Sequence, residues 1–131
     1  MIAVDASALV AILLEEPEAE AFREFLLTAS DCRLSPVGYW EAAIRLRGLR
    51  GERGVAELDV VIAGLGIQIA PATETTSRLA CKAEQDFGKR TAAKLNMGDC
   101  FAYALARELD APLLYKGADF DQTDIQAAFT A

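Results

Sequence analysis

Short apolar runs alternate along this chain with longer stretches in which apolar residues recur at helical spacing. Ile2-Ala3-Val4 is an apolar triplet closed by Asp5 and predicts a strand. Ser7 suits the N-cap of a helix over Ala8–Leu14, and Pro17 suits the first turn of another helix reaching about Leu27. Cys32-Arg33-Leu34 predicts a second strand. Ser35-Pro36 is an N-cap followed by an N1 proline, opening a helix from Val37 to about Arg47 with an apolar stripe at Val37, Trp40 and Ile44. Gly48, Gly51 and Gly54 punctuate a turn, a helix covers about Val55–Ala63, and Gly64 and Gly66 end it. Ile67-Gln68-Ile69 predicts a third strand, and Thr73 caps a helix that runs to about Phe87 and stops at Gly88. After a basic loop, Gly98 or Asp99 begins a helix to Leu109. Pro112-Leu113-Leu114-Tyr115 predicts a fourth strand, and Ile125 a short fifth.

Short apolar strands separated by helices specify an α/β fold with a mainly parallel sheet. Ligands bind such sheets beyond the carboxyl ends of the strands. Asp5 and Asp119 both follow strands and are expected at that edge. The 131 residues suit a single domain over 1–131, large enough to bury roughly two-thirds of its unfolded surface without a disulfide or structural metal. No apolar run approaches the roughly 20 residues of a membrane span, and the N-terminus lacks the basic start of a secretory signal. Three cysteines without metal-ligand spacing, Cys32, Cys81 and Cys100, read as reduced thiols of a cytoplasmic protein.

The chain has no histidine, which excludes Ser-His-Asp hydrolysis, histidine–metal sites and imidazole acid–base catalysis. The net charge of −7 argues at first against a nucleic-acid partner, but the charge is unevenly spread. Residues 1–31 hold seven acids and one base, residues 99–131 six acids and two bases, and residues 32–98 seven acids and ten bases. The middle of the chain is therefore mildly basic between two acidic ends.

Four acids stand at informative places. Asp5 follows the first strand, where it could equally be a helix cap. Glu41 lies beside the Val37–Trp40–Ile44 stripe, where a carboxylate is costly unless paired or metal-bound, or else snorkels at the stripe edge. Asp99 sits in a first helical turn, where it could serve the helix dipole, and with Asn96 it could form a polar corner beside a site. Asp119 follows the fourth strand, near Asp121 and Asp124, and could also be a turn residue. Carboxylates brought from distant segments to one edge repel each other unless a cation is present. Hard oxygen ligands select Mg²⁺ or Mn²⁺, which can activate water and stabilise charge on a phosphodiester.

Three segments carry a resemblance. Ile2-Ala3-Val4-Asp5-Ala6-Ser7-Ala8-Leu9-Val10-Ala11-Ile12 is similar to the opening of VapC-type toxins of the PIN-domain family. Asn96-Met97-Gly98-Asp99-Cys100-Phe101-Ala102-Tyr103-Ala104-Leu105-Ala106 resembles their second hallmark. Leu113-Leu114-Tyr115-Lys116-Gly117-Ala118-Asp119-Phe120, followed by Thr123-Asp124-Ile125, resembles the third, and Glu41 falls where the family's glutamate belongs. The resemblance implies a three-layer α/β/α PIN-like domain and an endoribonuclease that needs Mg²⁺ or Mn²⁺. It casts Asp5, Glu41, Asp99 and Asp119 as the catalytic, metal-binding cluster, with Ser7, Asn96 and Asp124 in support. It also implies a VapB-like antitoxin that blocks the site, a homodimer, and structured RNA substrates of the tRNA or rRNA class.

Arg45, Arg47, Arg50 and Arg53 follow Glu41, and Lys89, Arg90 and Lys94 precede Asp99. With Lys116, Arg45, Arg50, Arg53, Lys89, Arg90 and Lys94 are candidates for RNA phosphates. The helices over Ala8–Leu14 and around Ala21, Phe22, Phe25 and Leu26 are candidates for an apolar groove taking an antitoxin segment. Two other readings stay open at this point. One is a phosphoryl-transfer or phospho-acceptor domain built on Asp5 and Lys116, although Ser7 stands where the phosphatase pattern wants a second aspartate. The other is a non-enzymatic interaction module on the same fold.

Overall fold

The computed structural model describes residues 1–129. In chain order the elements are β1 (Ile2–Val4), α1 (Ala6–Leu13), α2 (Ala19–Thr28), β2 (Cys32–Leu34), α3 (Pro36–Arg50), α4 (Glu52–Gly64), β3 (Ile67–Ile69), α5 (Glu74–Phe87), α6 (Met97–Leu109) and β4 (Leu113–Leu114). The four strands form one parallel sheet in the order β3-β2-β1-β4, with Val4 level with Leu34 on one side and Leu114 on the other. Alternation along the strands divides the core in two. Val4 and Leu114 join Leu9, Ile12, Leu26, Leu46 and Leu58 under α1–α4, whereas Ala3 and Leu113 join Ala80, Leu95, Tyr103 and Leu105 under α5 and α6. The result is the expected three-layer α/β/α arrangement. Because all strands run the same way, the chain leaves β1, β2 and β4 at one edge of the sheet. Among the described residues no helix is long and apolar enough to cross a membrane.

Several local expectations are corrected. Asp5, not Ser7, caps α1: its side chain accepts from the Ser7 amide, and the helix begins at Ala6. Pro17 lies ahead of α2 rather than in its first turn. Gly48 does not break α3, which continues to Arg50, because the surrounding Leu and Arg residues outweigh the roughly 1 kcal/mol cost of one glycine. The turn falls at Gly51 alone, whose φ of 67° favours glycine. Gly54 lies inside α4, where a Cβ would stand 2.5 Å from the Leu46 carbonyl oxygen, so the glycine lets α3 and α4 meet closely.

The buried face of α3 is Gly38, Ala42, Ala43 and Leu46, not the expected Val37–Trp40–Ile44 stripe; Trp40 is 57% exposed and Ile44 42%. Small side chains seat the helix against β2, where a Cβ on Gly38 would come 3.0 Å from Leu34 Cδ1. No strand forms at Ile125; a single parallel bridge joins Ala127 to Leu113. The apolar residues of α1 are core, as are Phe22 and Leu26; of these only Ile12 and Leu13 reach a surface groove, at its floor.

Candidate active site

Residues from four separate segments line one cavity of about 430 Å³ at the carboxyl edge of the sheet, among them Asp5, Ser7, Glu41, Arg45, Asn96, Asp99, Lys116 and Asp119. Each is delivered by a local rule. Asp5 follows β1 directly, its amide donating to the Leu114 carbonyl at 2.9 Å and its side chain capping α1. Ser35 and Pro36 start α3 after β2, and Glu41 reaches the cavity two turns later. Asn96 and Asp99 form a reciprocal capping box on α6: the Asp99 amide donates to Asn96 Oδ1 at 2.9 Å, and the Asn96 amide to Asp99 Oδ2 at 3.1 Å. Asp99 is thus a helix-capping residue and a cavity residue at once. Ser7 Oγ accepts from the Lys116 amide at 3.0 Å, tying the exit of β4 to α1.

The carboxylates are electrically strained. Asp5 is 4% exposed; its Oδ2 accepts from Ser7, while Oδ1 has no hydrogen-bond partner among the described residues. Burial drives its pKa up from 3.8 to about 7, with hydrogen bonding from Ser7 working against the rise and the charges of Asp99 and Glu41 adding to it. Burial also pushes Glu41 up, with Asp99 adding to the effect. Asp99 is pushed up by burial, eased by its bond with Asn96, raised again by Asp119 and lowered by Lys89. Asp5, Glu41 and Asp99 therefore each feel at least one other acid of the cluster. The Glu41 carboxylate lies against Gly98, where a Cβ would stand 2.3 Å from Oε2.

The PIN domain family's sequence profile matches residues 2–126. The chain belongs to the PIN-domain family. It is 42% identical over 127 residues to ribonuclease VapC28 of Mycobacterium tuberculosis, covering 95% of this chain and 96% of that one. It shares its fold with the crystal structure of VapC20 from the same organism, described as a sarcin-ricin loop cleaving toxin, at a TM-score of 0.78 and 14% identity over 95% of this chain and 96% of that one. A Rickettsia felis VapBC2 complex bound to a DNA fragment from its promoter superposes with a TM-score of 0.76 and 14% identity over 97% and 96% of the two chains.

Within this PIN domain, other anticipated residues fall elsewhere. Asp124 does not line the cavity; it accepts from Tyr103 Oη and Arg107 Nη2, both at 2.6 Å, and clamps the chain after β4 to α6. Asp121 accepts from Tyr115 Oη. Arg50 and Arg53 stand away from the acids and face Glu57, at 3.5 and 3.9 Å. Lys89 and Arg90 line a neighbouring cavity rather than the acidic one. Lys94 is exposed in the same loop. Glu16 was not singled out by sequence reasoning, yet it lines the acidic cavity and, with Glu18, pairs with Lys116 Nζ. The acidic run Glu15-Glu16-Pro17-Glu18 was the available signal.

The donor set suits a hard divalent cation. Carboxylate oxygens dominate it, and the orphaned Asp5 Oδ1 is a buried acceptor that a cation would satisfy. As the side chains stand, no three acidic groups among the described residues are gathered around one cation position. Mg²⁺ commonly uses only one or two carboxylates with retained water, so a pair of these acids would suffice to hold it.

Proposed function

We infer that this PIN domain is a VapC-type toxin ribonuclease, an endoribonuclease dependent on Mg²⁺ or Mn²⁺. The observation that carries the reading is the convergence of Asp5, Glu41, Asp99 and Asp119 on one cavity, with the buried Asp5 Oδ1 lacking a partner. Asp5 and Asp99, with Glu41 and Asp119, would hold the cation, which when bound supplies a water of lowered pKa and charge stabilisation on the phosphodiester. Arg45, on the cavity wall, would meet a non-bridging phosphate oxygen, whereas Lys116 is engaged by Glu16 and Glu18 and would have to leave them to do so. Asn96 and Ser7 keep Asp99 and the Lys116 loop in place.

The same reading gives the protein a VapB-like antitoxin, a homodimeric state, a cytoplasmic setting and RNA substrates of the tRNA or rRNA class. A groove walled by Ala56, Val60 and Val61 over buried Ile12 and Leu13, with Glu15, Arg23, Arg53 and Glu57 on its rim, offers an apolar seat for an antitoxin segment. A phospho-acceptor domain is disfavoured because Asp5 is 4% exposed and already serves as a cap, and because Glu41 would have no task. A purely structural module would retain the repulsion of four acids without return. Incubation of antitoxin-free protein with total RNA tests the reading: cleavage with Mg²⁺ or Mn²⁺, abolished by EDTA and by the antitoxin, supports it, and metal-independent cleavage or none refutes it.

A further inference from the structure

A second cavity, of about 470 Å³, opens beside the acidic one between α5, the start of α6 and the loop of residues 88–96. Asn96 lines both. Its floor is buried and apolar, formed by Ala80, Leu95 and Cys100, and its rim carries Phe101 and Met97, the latter 61% exposed. That volume is in the range that takes a small organic ligand. Lys89 and Arg90 stand on the same rim, and among the described residues neither has a carboxylate within ion-pair distance, unlike Arg47, Arg50, Arg53, Arg78, Lys82, Arg107 and Lys116. Glu84 is the only acid on the wall among the described residues, offering an acceptor to an N–H group.

An apolar slot with unpaired cations at its mouth suits a flat aromatic body carrying an anion. We propose that this cavity receives an unstacked nucleobase of the RNA substrate, next to the phosphodiester held in the acidic cavity, while Lys89 and Arg90 meet the flanking phosphate. Single-stranded RNA is commonly read through splayed bases held on apolar and aromatic side chains, with basic residues tracking the backbone. The proposal rests on the ribonuclease reading and adds a base-binding site to it.

Cys81 supplies a probe, because it is exposed on the cavity wall while Cys32 and Cys100 are buried. Its rate of modification by a thiol reagent is measured in EDTA with about 10 mM of each nucleoside 5′-monophosphate, a level suited to the millimolar affinity of a fragment. Ribose 5-phosphate is the control. At least one nucleotide should slow modification about threefold or more, ribose 5-phosphate should not, and Lys89→Ala/Arg90→Ala should remove the protection at unchanged melting temperature. Equal rates with nucleotide and ribose phosphate would overturn the proposal. So would protection that appears only on raising the protein concentration, which would mean that a second copy covers the cavity. RNA cleavage by the same preparation, assayed with Mg²⁺, reports separately on the ribonuclease reading.

Discussion

Replacing Asp5 with Asn isolates the cost of gathering acids at the sheet edge. Asp5 rises from 3.8 to about 7 on folding, chiefly through burial. Each tenfold change in proton affinity is about 1.4 kcal/mol, so the ionised carboxylate costs the metal-free fold about 4 kcal/mol at pH 8. The sign follows from the direction of the rise. Between pH 4 and 7 the folded protein keeps this proton and the unfolded chain has lost it, so stability falls as pH rises across that window and levels off above it. Asn keeps an acceptor for the Ser7 amide and nearly the same volume, but its amide hydrogens need partners, which takes back part of the gain. The expected net gain is about 1–3 kcal/mol at pH 8, roughly 3–10 °C in melting temperature for a domain of this length. At pH 4 the gain should vanish, because wild-type Asp5 is then protonated in the fold. Thermal melts in EDTA at pH 4 and pH 8 make the measurement. An Asn variant less stable than wild type at pH 8, or a gain equal at both pH values, would refute the reasoning.

Gly98→Ala should lower cleavage about 100-fold, because its Cβ would meet the Glu41 carboxylate, while the melting temperature holds or rises since alanine favours the helix. Ser7→Ala removes the acceptor for the Lys116 amide and should cost about 1 kcal/mol in urea denaturation. Arg50→Ala/Arg53→Ala should leave RNA affinity and its salt dependence unchanged in fluorescence titrations, because both arginines face Glu57 away from the acids. In the same titrations Lys89→Ala/Arg90→Ala should flatten the slope of log affinity against log salt by about 1–2.

The strands and most helices were legible because their signals are local: Ile2–Val4, Cys32–Leu34 and Ile67–Ile69 are apolar triplets or pairs with a polar or glycine residue on at least one side, and Ser35-Pro36 and Thr73 cap as such residues do. The errors arose where packing overrode local preference. Trp40 and Ile44 dominate any reading by hydrophobicity, yet α3 turns Gly38, Ala42, Ala43 and Leu46 inward, and at Gly38 even a Cβ would crowd Leu34. Ser7 looked like a cap by residue type, but the position of Asp5 at the strand end gave that task to the aspartate and left Ser7 to hold Lys116. Asp5, Asp99 and Asp119 stand beside strand ends or a helix start, but each read equally as a cap or turn residue; the family resemblance singled out the four, including Glu41, whose supposed core-facing stripe at Trp40 and Ile44 is exposed. Glu16 was marked only by its acidic run, because the pairing that brings it to the cavity joins residues 100 positions apart. Asp124 had the same appearance in the sequence as Asp119, and only the contacts with Tyr103 and Arg107 separate them.

The most direct test is RNA cleavage by Asp99→Asn, measured beside its metal-free stability and its response to Mg²⁺. Asn preserves an acceptor for the Asn96 amide, so the capping box survives and the fold without metal should be at least as stable as wild type. The charge is lost, so cleavage should disappear, and the rise in melting temperature that metal gives by binding only the folded wild type should shrink. A folded Asp99→Asn protein that cleaves RNA at the wild-type rate would reduce Asp99 to a helix cap and contradict the acidic site as the seat of catalysis.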